Sequence, residues 1–343
     1  MNKSKKKILI YHCARIGDTI VTIPVLRNIC RQNPNADIDI FNFQPGSSKY
    51  HLNLLEELGC FRKISFLSIS FDLTADTWFL RAKNLLRFRR ERYDAIYVFY
   101  ICPPPSELWK KLFKFITGTK HLYVVDKTPS GMRISEFIRK QMENSGMPFL
   151  PEEATIRYPL LQKHLDKGLA RYSELSIPEK STPFVMGISG QGQQCMYWPV
   201  DRYQELLKRI IPKHNLFPVI IGAPDEKDVA EKLLSSCGQG AFVSDLQATE
   251  VIAFMKHFRF YLGNDTGTMH MADSAGIPCI TLFADRDGYK YWWPEGEYHI
   301  NILHRQKCEE CRLGICPLGN PAPCIDSITV EEVEKAVDSM LKL

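Results

Sequence analysis

The chain has 343 residues, 45% of them apolar and 24% charged, with a formal net charge of +5. A single hydrophobic core stops growing near roughly 250–300 residues, so two domains are expected, and the ordinary composition excludes a disordered chain. No stretch approaches the roughly 18–20 uninterrupted apolar residues of a membrane span, and the apolar run 8–11 behind the basic residues 1–7 is too short for a signal-peptide core, so a cytoplasmic protein is expected.

Residues 7–13 read as a buried strand, 14–18 as a loop and 19–32 as a helix with Ile20, Ile23, Leu26 and Ile29 in one stripe. Pro24 lies inside that stripe and predicts a kink or a late helix start. Residues 37–43 form the next strand, and this β-loop-α-β run opens a parallel sheet. Further strands are expected at 94–100 and 120–125, and a helix at 133–144. Residues 174–183 are polar and proline-punctuated, which predicts a domain boundary and first and second domains of 1–176 and 177–327. The α/β pattern then restarts. Strands are expected at 184–189, 217–221, 258–263 and 278–283, and helices at 200–211, 227–235, 249–257 and 269–275. The fold class is α/β, two Rossmann-like halves with parallel sheets.

Two loops stand where ligands bind in such sheets, beyond the carboxyl ends of strands. The first is Arg15-Ile16-Gly17-Asp18-Thr19. Gly17 allows a tight turn, and Asp18 sits at the helix start, where it reads either as a helix cap or as a catalytic carboxylate. The spacing is not the G-x-G-x-x-G of a dinucleotide site. The second loop is Gly263-Asn264-Asp265-Thr266-Gly267-Thr268-Met269-His270. Small polar residues at a helix N-terminus make an anion site, because unpaired amides and the helix dipole both favour phosphate. His270, in the first turn, is placed to donate to a phosphate oxygen; the alternative is a capped turn with a packed histidine.

The run Gly17-Asp18-Thr19-Ile20-Val21-Thr22-Ile23-Pro24-Val25-Leu26 resembles the N-terminal signature of glycosyltransferase family nine, the ADP-heptose:lipopolysaccharide heptosyltransferases. The run from Asn264 to Ala272, with Gly276-Ile277-Pro278 behind it, is similar to that family's donor-site signature. Tyr197-Trp198-Pro199 and Ile221-Gly222-Ala223 are further landmarks. The resemblance implies a GT-B fold, with an acceptor domain, a donor domain, a last helix (328–343) crossing back to the first domain, and a central cleft faced by both loops. It implies inverting transfer of heptose from ADP-heptose to a lipopolysaccharide inner-core acceptor. Asp18 would be the general base, flanked by Gly17 and Thr19 on the acceptor side. Asp265, Thr266, Gly267, Thr268 and His270 would hold the donor, and Glu226 would lie near its nucleoside. No cofactor would be needed for catalysis. One departure is plain: Met196 stands where the family often carries a phosphate-binding lysine, which leaves Arg202 or Arg286 as replacements and another nucleotide sugar as an alternative donor. A GT-B-type sugar-nucleotide epimerase and a non-catalytic sugar-nucleotide-binding protein are the other readings.

Of eleven cysteines, Cys13, Cys30, Cys60, Cys102, Cys195, Cys237 and Cys279 are scattered among apolar residues and read as reduced, buried small hydrophobes. Cys308, Cys311, Cys316 and Cys324 are clustered in a Gly- and Pro-rich segment and could bind a structural zinc or iron; the alternative is thiols or a disulfide. Residues 81–120 carry Arg81, Lys83, Arg87, Arg89, Arg90, Arg92, Lys110, Lys111, Lys114 and Lys120 against Glu91, Asp94 and Glu107. Such a face is either simply solvated or attracts an anionic glycolipid acceptor, with peripheral contact at the inner membrane. No nucleic-acid module accompanies it. The sequence sets no oligomeric state.

Overall fold

The apolar run behind the basic N-terminal residues forms strand β1 (Lys7–Cys13), with Ile8, Leu9 and Ile10 at most 1% exposed. The computed structural model describes residues 5–13, 15–44, 52–68, 75–99, 106–125, 131–188, 197–285, 291–306 and 316–343. The chain divides into two compact units, Met1–Ile156 and Arg157–Leu343.

In the first unit β1 is followed by α1 (Ile16–Gln32), β2 (Asp37–Gln44), α2 (Leu52–Glu56), β3 (Lys63–Ser68), α3 (Ala75–Glu91), β4 (Ala95–Phe99), α4 (Glu107–Thr117), β5 (His121–Val125) and α5 (Ile134–Asn144). The strands lie in the order β3-β2-β1-β4-β5, every neighbouring pair parallel. Parallel sheets are covered on both faces, and β4 accordingly is buried along its whole Ala-Ile-Tyr-Val-Phe length. One face is packed by aromatic rings: Tyr11 stacks on Phe41 at 5.6 Å, and Phe88 of α3 meets Phe41 edge-on at 5.3 Å. Helix α1 starts three residues before the expected position and runs unbroken through Pro24 to Gln32. Glu153, fully buried, pairs with Arg27 Nε at 2.7 Å and with Arg31, tying the end of the first unit to α1. Cys30 of α1 and Cys60 are joined as a disulfide with Cα atoms 6.1 Å apart, where reduced thiols were expected; the last turn of α1 lies beside the loop that leads into β3.

The second unit contains α6 (Gln162–Ser173), β6 (Thr182–Gly187), α7 (Val200–His214), β7 (Leu216–Ile221), α8 (Lys227–Cys237), β8 (Ala241–Val243), α9 (Ala248–Met255), β9 (Tyr261–Asn264), α10 (Gly267–Ala275), β10 (Cys279–Phe283), β11 (Ile300–Leu303), α11 (Pro323–Asp326) and α12 (Val330–Met340). Its sheet runs β11-β10-β9-β6-β7-β8, again all parallel.

The units divide about twenty residues before the expected boundary. The reason is α6, which packs on α9. A side chain at Gly168 would run into the Phe254 amide nitrogen 2.6 Å away, so only glycine lets the two helices approach this closely. The proline-punctuated stretch 174–183 is therefore a connection inside the second unit. Helix α12 also belongs to the second unit. It packs on α7 through Val333 and Val337, with Arg209–Glu331 (2.7 Å), Lys213–Glu334 (2.8 Å) and His214–Asp338 (2.6 Å) at the rim. Among the described residues no helix is long and apolar enough to cross a membrane.

Candidate functional site

Each sheet reverses its direction of growth once. In the first the chain builds outward from β1 through β2 to β3, then returns to the other side of β1 with β4. In the second it builds from β6 through β7 to β8, then returns beside β6 with β9. At such a point two adjacent loops leave the strand ends in opposite directions and open a crevice. Asp18 follows β1 and the Asp265–His270 loop follows β9, so each motif stands at the switch point of its own sheet.

Asp18 is the third residue of α1, not its cap residue, which is Arg15. Its Oδ2 accepts the Arg15 backbone N–H at 3.2 Å, the returning half of a capping box. The side chain is half-buried, as are Ile16 and Gly17. Thr19 is buried and donates its hydroxyl to the Arg15 carbonyl at 2.8 Å. Behind this turn His12 is fully buried. Its ring nitrogens lie 2.8 Å from Thr22 Oγ1 and 3.2 Å from Asn42 Oδ1, and Thr22 donates to the Asp18 carbonyl at 2.9 Å. The turn that carries Asp18 is thus braced from β1 and β2. His12 and Asn42 were missed from sequence because they sit inside apolar strand runs.

In the second unit Thr266 is the extended residue before α10, and Gly267 and Thr268 are its first two residues. Their amides have no carbonyl to bond within the helix. Asn264 at the strand end is 1% exposed and fixes the loop's base: Oδ1 accepts from the Trp198 amide (3.1 Å) and the Tyr203 hydroxyl (3.2 Å), and Nδ2 donates to the Ile188 carbonyl at 2.6 Å. The Tyr261 hydroxyl donates to the Asn264 carbonyl at 3.1 Å and lies 3.3 Å from Thr268 Oγ1, which pairs with Thr266 Oγ1 at 2.6 Å. Burial raises the Tyr261 phenol well above its ordinary pKa, against the two threonine hydrogen bonds, so it stays neutral at working pH. His270 is 4% exposed and meets the Trp292 ring edge-on at 5.8 Å. Asp265 is half-buried, and its amide donates to the Leu282 carbonyl at 3.3 Å.

Glu226 follows β7, and β7 lies two strands, about 10 Å, from β9 in the same sheet. Its Oε2 accepts the Ala223 amide at 2.8 Å, which caps the 3-10 turn Pro224–Glu226 that leads into α8. Met196 and Arg286 lie outside the described residues. Arg202 does not replace the missing lysine. It is committed to the α11–α12 junction, bonding the carbonyls of Asp326 and Ile328 and pairing with the Asp326 carboxylate at 3.0 Å.

Cys308 and Cys311 also lie outside the described residues. Cys316 and Cys324 are free thiols. Cys324 Sγ accepts the Asp285 amide at 3.4 Å, and burial pushes its thiol pKa up. Among the described residues no group of three or more His, Cys, Asp or Glu side chains forms a metal-binding cluster.

Comparison with known proteins agrees with this geometry. Residues 152–320 match the model of glycosyltransferase family 9 (heptosyltransferase). Lipopolysaccharide heptosyltransferase 1 of Pseudomonas aeruginosa is 22% identical over 144 residues; the match spans 42% of this chain and 40% of that protein. Among solved structures, a family 9 glycosyl transferase from Veillonella parvula superposes with a TM-score of 0.73 at 16% identity, covering 100% of this chain and 99% of that one. An ADP-heptose lipopolysaccharide heptosyltransferase II of E. coli gives a TM-score of 0.66 at 16% identity, covering 98% of both chains. These structures share the fold, which is GT-B. The family model thus covers residues 152–320, just under half of the chain and including the loop after β9, and the fold of the family 9 structures extends over the chain from end to end.

Proposed function

We propose that the chain is an inverting glycosyltransferase that moves heptose from ADP-heptose to a lipopolysaccharide inner-core acceptor, a membrane-borne anionic glycolipid, with peripheral contact at the membrane. The observation that carries this reading is the placement of both motifs at switch points, Asp18 after β1 and the Asp265–His270 loop after β9. Asp18 takes the proton of the acceptor hydroxyl as that oxygen attacks the anomeric carbon. The bond from that carbon to the diphosphate breaks, and its electron pair leaves with ADP. The amides of Gly267 and Thr268, the α10 dipole and His270 stabilise the charge that gathers on the leaving diphosphate. Asp265 and Thr266 orient the donor, and Glu226 lies toward its nucleoside. Gly17 and Thr19 shape the acceptor side. No metal enters these steps.

The test is ADP release from ADP-heptose with and without a de-acylated inner-core acceptor. Release should require the acceptor. Asp18→Asn keeps an oxygen for the Arg15 amide and removes the base, so turnover should fall about 10²–10⁴-fold with ADP binding and melting temperature unchanged. Turnover that survives the exchange would reduce Asp18 to a cap.

Met196 favours one second reading, a same-fold transferase with another nucleotide sugar. A panel of ADP, UDP, GDP and CDP decides it, since preference for any base other than adenine removes ADP-heptose. A structural zinc or iron at Cys308, Cys311, Cys316 and Cys324 is a separate proposal. Elemental analysis of the purified full chain tests it, with a stoichiometric metal expected and a trace amount discarding it.

A further inference from the structure

Helix α4 has two apolar faces, and the first unit packs only one of them. Phe113 is buried and stacks on Trp109 at 4.7 Å, with Tyr11 edge-on at 6.4 Å. Leu108, Leu112 and Phe115, by contrast, are 76%, 53% and 77% exposed. They stand at i, i+4 and i+7, a single stripe along the helix. Helix α3 packs alongside and adds Leu86, 56% exposed. The C-terminal ends of the two helices are fixed to each other, because Arg89 Nη1 donates to the carbonyls of Phe115 and Ile116 at 3.1 Å each.

Cations predominate around the stripe. Lys83, Arg90, Lys111 and Lys114 are exposed on the two helices. Among the described residues, three carboxylates beside the two helices are paired with cations: Glu107 with Lys110 at 2.7 Å, Glu91 with Lys7 at 3.5 Å, and Asp94 with Lys120 at 3.6 Å. Interfaces between proteins are depleted in lysine, whereas an in-plane membrane helix sets Leu and Phe between cations whose stems lie along the apolar surface.

We propose that α3 and α4 form a docking surface for an anionic lipid bilayer. Leu108, Leu112 and Phe115 enter the boundary between headgroups and acyl chains, and Lys83, Arg90, Lys111 and Lys114 meet lipid phosphates. The choice of occupant rests on the membrane-borne acceptor of the proposed function; the surface itself rests on the helix faces.

The experiment is co-sedimentation of the full chain with phosphatidylcholine vesicles, with and without phosphatidylglycerol and free of any glycolipid acceptor. The chain should bind the anionic vesicles at low salt and lose most of that binding at high salt. The triple variant L108S/L112S/F115S should bind at least about tenfold more weakly, and K111Q/K114Q should lose about tenfold on anionic vesicles alone. Far-UV circular dichroism and sedimentation velocity confirm that the variants are folded. Wild-type protein that ignores anionic vesicles, or a folded triple variant that binds as tightly as wild type, overturns the proposal. So does a wild-type self-association that the triple variant abolishes while vesicle binding persists, since the stripe is then a contact between copies. Turnover with the de-acylated, vesicle-free acceptor is read separately, so loss of vesicle binding and loss of the transferase reading are distinct results.

Discussion

Gly187 at the end of β6 shows how a single hydrogen atom holds the loop after β9 in place. A Cβ there would run into the hydroxyls of Thr268 and Tyr261, and one at Gly263 would run into the Gly187 carbonyl. The two strands and the first turn of α10 are therefore in mutual contact at the point where we propose that the donor diphosphate binds. Gly187→Ala should push Thr268 and the α10 N-terminus outward and cost about 1–3 kcal/mol of stability. We expect at least about tenfold weaker ADP binding by calorimetry from the displaced amides. Unchanged affinity would show that the loop tolerates the shift. Tyr261→Phe removes only the hydroxyl and leaves the Thr266–Thr268 pair intact, so it should cost about 1 kcal/mol. In the sequence, Asp265, Thr266 and Gly267 announce themselves as a polar break between two apolar runs. Gly187 does not, because its importance comes from contacts with Tyr261 and Thr268, more than seventy positions away, and Tyr261 reads as one more residue of an apolar strand.

At the scale of elements, the strands that flank the switch points were legible because they are central, apolar and bounded by polar loops. The edge strands β3, β8 and β11 were not. β8 has three residues, too few to show a period. Helices α3 and α4 were read only as a charge run; their two-sided apolar pattern is visible once Phe88 and Phe113 are known to face the sheet. What holds β2 beneath those helices is Asp39, 4% exposed, which accepts from Arg62 Nε at 2.8 Å and the Tyr93 hydroxyl at 2.6 Å. Burial alone would raise the Asp39 pKa. The hydrogen bonds from Arg62 and Tyr93 and the charges of Arg62 and Lys63 outweigh it, and the group sits below its ordinary 3.8. A lowered folded pKa means stability that is complete above the unfolded value and is lost as pH falls through the folded one. Asp39→Asn should therefore lower the denaturation midpoint at neutral pH, and the two proteins should converge below about pH 3. Parallel curves across that range would assign the acid transition to other carboxylates.

At the scale of the whole molecule, the proline-punctuated stretch 174–183 looks like a linker and is not one. Local composition reports where a chain turns, but only packing reports which body a helix joins. Helix α6 precedes that stretch and closes the second unit. Tyr172 meets His257 at 5.0 Å and Phe258 at 5.5 Å, and the α9 residues Phe254 and Met255 are fully buried. Just upstream, Arg157 bonds the Asp273 carbonyl and the Tyr298 hydroxyl, and the Tyr158 amide donates to Ser274 at 3.0 Å. A fragment cut at the compositional boundary, 177–343, loses all of these and exposes α9. Uncovering Phe254 and its neighbours should cost about 3 kcal/mol or more, a large share of a domain's stability. A fragment cut at the packing boundary, 157–343, keeps them together with the complete β6–β9 switch point. We expect 157–343 to unfold in one cooperative transition and to bind ADP, and 177–343 to aggregate or melt without a transition. Equal cooperativity in the two fragments would return α6 to the first unit and restore the boundary that the prolines suggest.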